Sequence, residues 1–240
     1  MQDRYAGDVG DFGKLGLLRA LEASGLTVGV NWYLTPNESH NDDGRHVEYL
    51  EKEDFRVCDE ELWRGLGQLV RAEQRSIRAI EASGLLRAVF FSEPLDLSDV
   101  EKAERTALRR RWHARALDRL SGCGVIFADP DNGLIVPSAA GTAKENKFAL
   151  PEELAGHYRR GASVICYQHK ARKPDSFYAE AHNRLVRSDA FADAAGSILK
   201  FVTTSQRYYL FMIRPEHRGA VIGAVDHLLK SDWGRHFCLI

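Results

Sequence analysis

Apolar positions along this chain recur with two periods. Leu15, Leu17, Leu18 and Leu21 have helical spacing, with Asp11 as a natural N-cap before them and Gly25 as a natural stop behind. Residues 27–34 form a β-rich run, read as the first strand, and a polar loop follows at 35–46. Helical spacing returns over 59–82, with Leu62, Leu66, Leu69, Val70, Ile77 and Ile80 on or near one face and Gly84 as the stop. A short strand at 87–91 and a helix from about 99 to 120, capped by Ser98, complete the first half.

The second half centres on residues 124–133. Four apolar residues, Val125, Ile126, Phe127 and Ala128, run straight into Asp129, Pro130, Asp131, Asn132 and Gly133. That reads as a fully buried strand ending in a turn that displays two carboxylates and an amide. Open α/β sheets bind ligands at such strand ends, although Asp, Asn and Gly are also the commonest turn residues. Next come a loop at 138–147, long enough to act as a substrate lid, a helix at 151–160 and a buried strand at 162–168. A helix is expected over 175–197, then strands at 201–204 and 207–213 paired about Ser205-Gln206, a helix at 216–230 and a closing strand at 236–240. Strands alternating with helices and then a hairpin predict an α/β fold with a mostly parallel sheet and an antiparallel C-terminal hairpin. The expected organisation is one domain over 1–240, with a mainly helical insertion at about 45–122.

Composition narrows the class. With 240 residues, 44% of them hydrophobic, the chain can bury a sizeable core. Its formal net charge of −1 gives the chain as a whole no basic character. The local exception is the helix at 99–120, which carries Arg105, Arg109, Arg110, Arg111, Arg115 and Arg119 beside Trp112 and His113. Interspersed Glu101, Glu104 and Asp118 make it either a solvated face or a surface for phosphates and bases. Cys58, Cys123, Cys166 and Cys238 lie far apart, in no paired metal-ligand spacing. With no signal peptide and no run of 18 apolar residues, they predict a soluble cytoplasmic protein without a membrane partner.

Three stretches carry candidate chemistry. Tyr5, Gly7, Asp8, Gly10, Asp11, Gly13 and Lys14 form a glycine-rich loop opening into the first helix. Such a loop suits an anionic or zwitterionic ligand, or is simply the arm before a capped helix. The loop at 35–46 offers Asn37, Glu38, His40, Asp42, Asp43 and His46 at the end of the first strand, in no spacing typical of a metal site. The strand at 162–168 delivers His169 as a general base or ligand, and Lys170 and Arg172 as groups able to hold phosphates.

The order of these motifs resembles the Rossmann-like, S-adenosylmethionine-dependent methyltransferases, closest to the bacterial family that methylates N6 of an adenine in large-subunit ribosomal RNA. Tyr5-Ala6-Gly7-Asp8-Val9-Gly10-Asp11-Phe12-Gly13-Lys14 is similar to that family's N-terminal His-Ala-Gly-Asn-x-Ala-Asp-x-x-Lys-His segment. Asp129-Pro130-Asp131-Asn132 occupies the place of its Asp-Pro-Pro-Tyr catalytic motif, and the tail from Tyr208 to Leu239 has a similar layout. The resemblance implies a nucleic-acid substrate and S-adenosylmethionine as cofactor, bound by Tyr5, Gly7, Asp8, Asp11, Lys14 and Asn31. It implies that Asp129 and Pro130 accept hydrogen bonds from a target amine, with Asp131, Asn132 and His169 beside them and Trp32, Lys170 and Arg172 on the substrate.

Two departures from the family pattern stand out. The turn after the first strand, Asn31-Trp32-Tyr33-Leu34, has none of the family's glycines, and Asn132 cannot stack on a base, so Tyr5 or Trp32 is the expected replacement ring. The same changes motivate a second reading, metal-dependent phosphodiester hydrolysis. Asp129 and Asp131, with Glu38 or Asp8, would hold Mg²⁺ or Mn²⁺ while His169 activates water. A non-catalytic binding module is the third.

Overall fold

The computed structural model describes residues 1–38, 44–203 and 205–240. In chain order its strands are β1 (Val28–Asn31), β2 (Val89–Phe91), β3 (Val125–Ala128), β4 (Gly133–Leu134), β5 (Phe148–Ala149), β6 (Ser163–His169), β7 (Ala195–Val202), β8 (Gln206–Ile213) and β9 (Phe237–Leu239). The helices are α1 (Val9–Ala23), α2 (Glu53–Arg56), α3 (Glu60–Arg71), α4 (Ile77–Ala82), α5 (Lys102–Arg119), α6 (Pro151–Arg159), α7 (Asp175–Val186) and α8 (Arg218–Lys230). Seven strands form one sheet in the order β2-β1-β3-β6-β8-β7-β9, while β4 pairs with β5. β2, β1, β3 and β6 run parallel, and β8 lies antiparallel between β6 and β7. The fold is therefore α/β, with a mostly parallel sheet and an antiparallel hairpin of β7 and β8.

Period-two alternation sets the layers. On β3, Val125 and Phe127 join one core and Ile126 and Ala128 the other, all four fully buried. Phe12 and Leu15 of α1, Leu62 and Leu66 of α3, and Val221 and Leu228 of α8 belong to the first core; Trp112 of α5, Leu154 of α6 and Tyr178 of α7 belong to the second. An unbroken apolar strand is what burial on both faces requires.

Several elements start or stop elsewhere than their local pattern predicts. Asp8, not Asp11, caps α1, its carboxylate accepting from the Asp11 N–H at 3.0 Å. Gly10 and Gly13 are thus helical, and with Gly16 they let α1 approach its neighbours. A Cβ at Gly10 or Gly13 would come within 2.6 Å of the Arg207 guanidinium or the Phe201 ring, and one at Gly16 would overlap Trp233. The pattern at 59–82 divides into α3 and α4, because the chain turns at Glu73 (φ 55°) and Ser76 caps the second piece. Ser98 donates to Asp96 at 2.7 Å instead of capping α5, which starts at Lys102. α7 ends at Val186, and residues 195–202 form β7, paired along its whole length with β8. Cross-strand pairing overrides the local helical pattern there.

The arginines of α5 are mostly engaged within the protein. Arg109 is buried against Glu153 at 2.6 Å, Arg115 meets Glu93, and Arg105 and Arg119 donate to the carbonyls of Val100 and Phe90. The expected lid at 138–147 is anchored as well: Arg109 donates to the Glu145 carbonyl at 2.7 Å and Asn146 to the Leu95 carbonyl at 3.0 Å. Among the described residues, no helix is long and apolar enough to cross a membrane.

Candidate functional site

Parallel pairing brings the carboxyl ends of β1, β3 and β6 side by side, and antiparallel β8 adds its first residues to that edge. His169 lies opposite Arg207 in register, and Tyr167 opposite Tyr209. With the segment leading into α1, these ends enclose a cleft of about 210 Å³. It unites Asp129, Pro130, Asp131, Asn132 and His169 with Tyr5, Asp8, Gly10, Asp11, Lys14 and His46, all of them singled out from sequence.

The floor is a buried charge cluster. Lys14 Nζ donates to Asp11 Oδ1 at 2.8 Å and to Asp129 Oδ2 at 2.6 Å, with the rings of Trp32 and Tyr167 5.3 and 5.8 Å away. Asp11 Oδ2 accepts from the Gly7 N–H at 3.0 Å, and Asp8 Oδ2 stands 3.9 Å from Arg207 Nη2. Burial works against the charge on Lys14, but the two carboxylates outweigh it and hold its pKa above the ordinary lysine range. Burial pushes Asp8 and Asp129 up, against the pull of Arg207 on the first and Lys14 on the second. Three carboxylates, Asp8, Asp11 and Asp129, face two side-chain cations, Lys14 and Arg207. Lys14 occupies only Oδ2 of Asp129; among the described residues, none donates to Oδ1.

The turn after β3 is fixed from both sides. Asp131 Oδ1 lies 2.6 Å from the Met1 amino group and Oδ2 accepts from Gln2 Nε2 at 2.7 Å. Burial opposes ionisation of Asp131, yet these neighbours hold its carboxyl below the usual range. Gln168 accepts from the Leu134 N–H at 2.9 Å and donates to the Asn132 carbonyl at 2.8 Å. Gly133, at φ 106°, leaves the space that the Gln168 amide fills.

No family model and no curated protein matches this chain. Its chemistry has to be read from the site itself.

Several expected site residues lie elsewhere. Trp32 is fully buried, donates to Glu81 at 2.9 Å and stacks on Phe90, so it cannot meet a ligand. Asn31 is buried at the end of β1, its Oδ1 accepting from the Tyr33 N–H at 3.3 Å and its Nδ2 unpartnered. Lys170 is paired with Asp175 at 2.5 Å, and exposed Arg172 is not part of the cleft wall. Glu38 is bound to Lys147 and Arg4. His40, Asp42 and Asp43 lie outside the described residues. Among the described residues, no three or more His, Cys, Asp or Glu side chains are grouped so as to hold a metal ion.

Sequence reasoning missed Arg207, Tyr167 and Ser205, all of which line the cleft, whereas His46, already named in the 35–46 loop, lines it as well. A signal for the first was present: Arg207 is a lone charge at the head of the apolar run Tyr208–Ile213. A charge in a buried strand needs a partner or a ligand.

Proposed function

We propose that the cleft binds the exocyclic amine of a nucleic-acid base. The observation that carries this reading is the arrangement at Asp129: Lys14 fixes one carboxylate oxygen and leaves the other as an acceptor in the cleft. An oriented carboxylate acceptor in a buried site favours an N–H donor over a carbonyl. Lys14 keeps the carboxylate from rotating and favours its ionised form against the burial that raises its pKa; Pro130, next in the chain, lines the same wall. Tyr5 and Tyr167 supply the ring faces that Asn132 lacks. The convergence of residues 5–14 on Asp129 and the mostly parallel sheet support the likeness to the S-adenosylmethionine-dependent methyltransferases.

S-adenosylmethionine itself does not fit the site as it stands. Met1 fills the crevice between the ends of β1 and β3, its amino nitrogen 2.9 Å from the Tyr33 carbonyl and 3.3 Å from that of Asp129. No glycine opens the turn after β1, where Trp32 and Tyr33 are fully buried. Amine recognition is therefore the activity proposed, and no step runs through a methyl donor.

Calorimetric titration with adenosine and inosine, which differ at the amine, tests the reading. Adenosine is expected to bind about tenfold more tightly, and Asp129→Asn to remove most of the difference. Equal affinities in the native protein would refute it.

A further inference from the structure

The cleft is divided by charge. Asp129 and Asp131 stand on the β3 side, while His46, His169, Ser205 and Arg207 line the side formed by β6, β8 and the segment before α2. Arg207 is only 7% exposed; its Nη1 donates to Ser205 Oγ at 3.0 Å, and its nearest carboxylate, Asp8 at 3.9 Å, is engaged as the N-cap of α1. A guanidinium is costly to bury, and it presents a fork of donors that matches phosphate oxygens. Gly10 keeps α1 clear of that fork, since a Cβ there would lie 2.6 Å from the guanidinium nitrogens. His169 lies directly opposite Arg207 across the β6–β8 ladder, so the two side chains share one face of the sheet.

We infer that this wall is a subsite for the phosphate of a nucleotide whose base amine reaches Asp129. The inference rests on the amine-binding reading and extends it. β3 and β8 are separated by one strand, so their backbones stand about 10 Å apart. A ligand touching both walls must carry an amine at one end and an anion at the other. A nucleotide has that length and polarity; a nucleoside satisfies only one wall. The phosphate can belong to a free nucleotide or to a strand, and the two are separable by titration.

The experiment is calorimetric titration of the native protein with adenosine, adenosine 5′-monophosphate and a short single-stranded oligonucleotide containing adenine. The monophosphate or the oligonucleotide is expected to bind at least about tenfold more tightly than adenosine. Arg207→Gln should lower the affinity for the monophosphate and the oligonucleotide more than that for adenosine, and so close most of the gap. His169→Gln, at an exposed position, should narrow it without threatening the fold. Preference for the monophosphate assigns the site to free nucleotides, and preference for the oligonucleotide assigns it to nucleic acid. If adenosine binds the native protein as tightly as both phosphate-bearing ligands, the subsite is wrong and amine recognition stands. If no base-bearing ligand binds, both are wrong.

Discussion

His157 provides a quantitative test of the packing between α5 and α6. Its ring is buried, 5.4 Å from the ring of His113 and edge-on to it, and neither Nε2 of His157 nor either nitrogen of His113 has a hydrogen-bond partner. Burial pushes His157 down from an ordinary 6.5 to about 3, with His113 and Arg160 acting in the same direction. A base whose folded pKa is depressed stabilises the fold above its unfolded pKa, and that stability is lost as pH falls toward the folded value. Between pH 8 and pH 4 the unfolded chain gains a proton at this position and the native chain does not. The 2.5 units from 6.5 down to pH 4, at about 1.4 kcal/mol each, amount to about 3 kcal/mol. Urea unfolding of native protein and His157→Phe at a series of pH values measures this directly. Acid-sensitive carboxylates such as Asp131 affect both proteins and cancel in the difference. The stability difference should shift in favour of the variant by about 3 kcal/mol from pH 8 to pH 4. Parallel curves would refute the assignment of a neutral, unpartnered imidazole.

Two further substitutions probe the site. Lys14→Met leaves Asp11 and Asp129 buried without their cation and should cost about 3–5 kcal/mol in urea unfolding, with part recovered in Lys14→Met/Asp129→Asn; a loss under 1 kcal/mol would show the cluster to be solvated. Gly133→Ala forces a side chain into φ 106° and into the Gln168 amide, so it should destabilise the protein by at least about 1–3 kcal/mol and weaken adenosine binding; unchanged affinity would detach the turn from the site.

The parts of the fold legible in the sequence were those where local pattern and tertiary role coincide. Val125–Ala128 reads as a doubly buried strand because both of its faces are covered. Two α1 glycines were misread because Gly10 and Gly13 look like a ligand loop until Arg207 and Phe201 are seen against them. Residues 187–197 continued a helical pattern, but α7 stops at Val186, and from Ala195 the ladder with β8, made from sequence some fifteen residues further on, decides the conformation. Within the site, the carboxylates were visible as an acidic turn after an apolar run. The Lys14–Asp129 pair was not, because it joins positions 115 residues apart. Trp32 looked available in a loop-bound segment, and only the packing of Phe90 and Glu81 around it shows otherwise.

The close fit of α1 against β7 and β8 also constrains biosynthesis. Gly10 and Arg207 are 197 positions apart, so the helix leaves the ribosome long before its resting place exists. At about 5–20 residues per second, that interval is about 10–40 s, during which the part of the core supplied by β7 and β8, including Phe201 and Tyr209, is missing from around Phe12 and Leu15. The cleft shares this schedule, since its wall at 205–207 is among the last pieces made. A chain interrupted before residue 205 would carry the acidic floor of the cleft without Ser205 and Arg207.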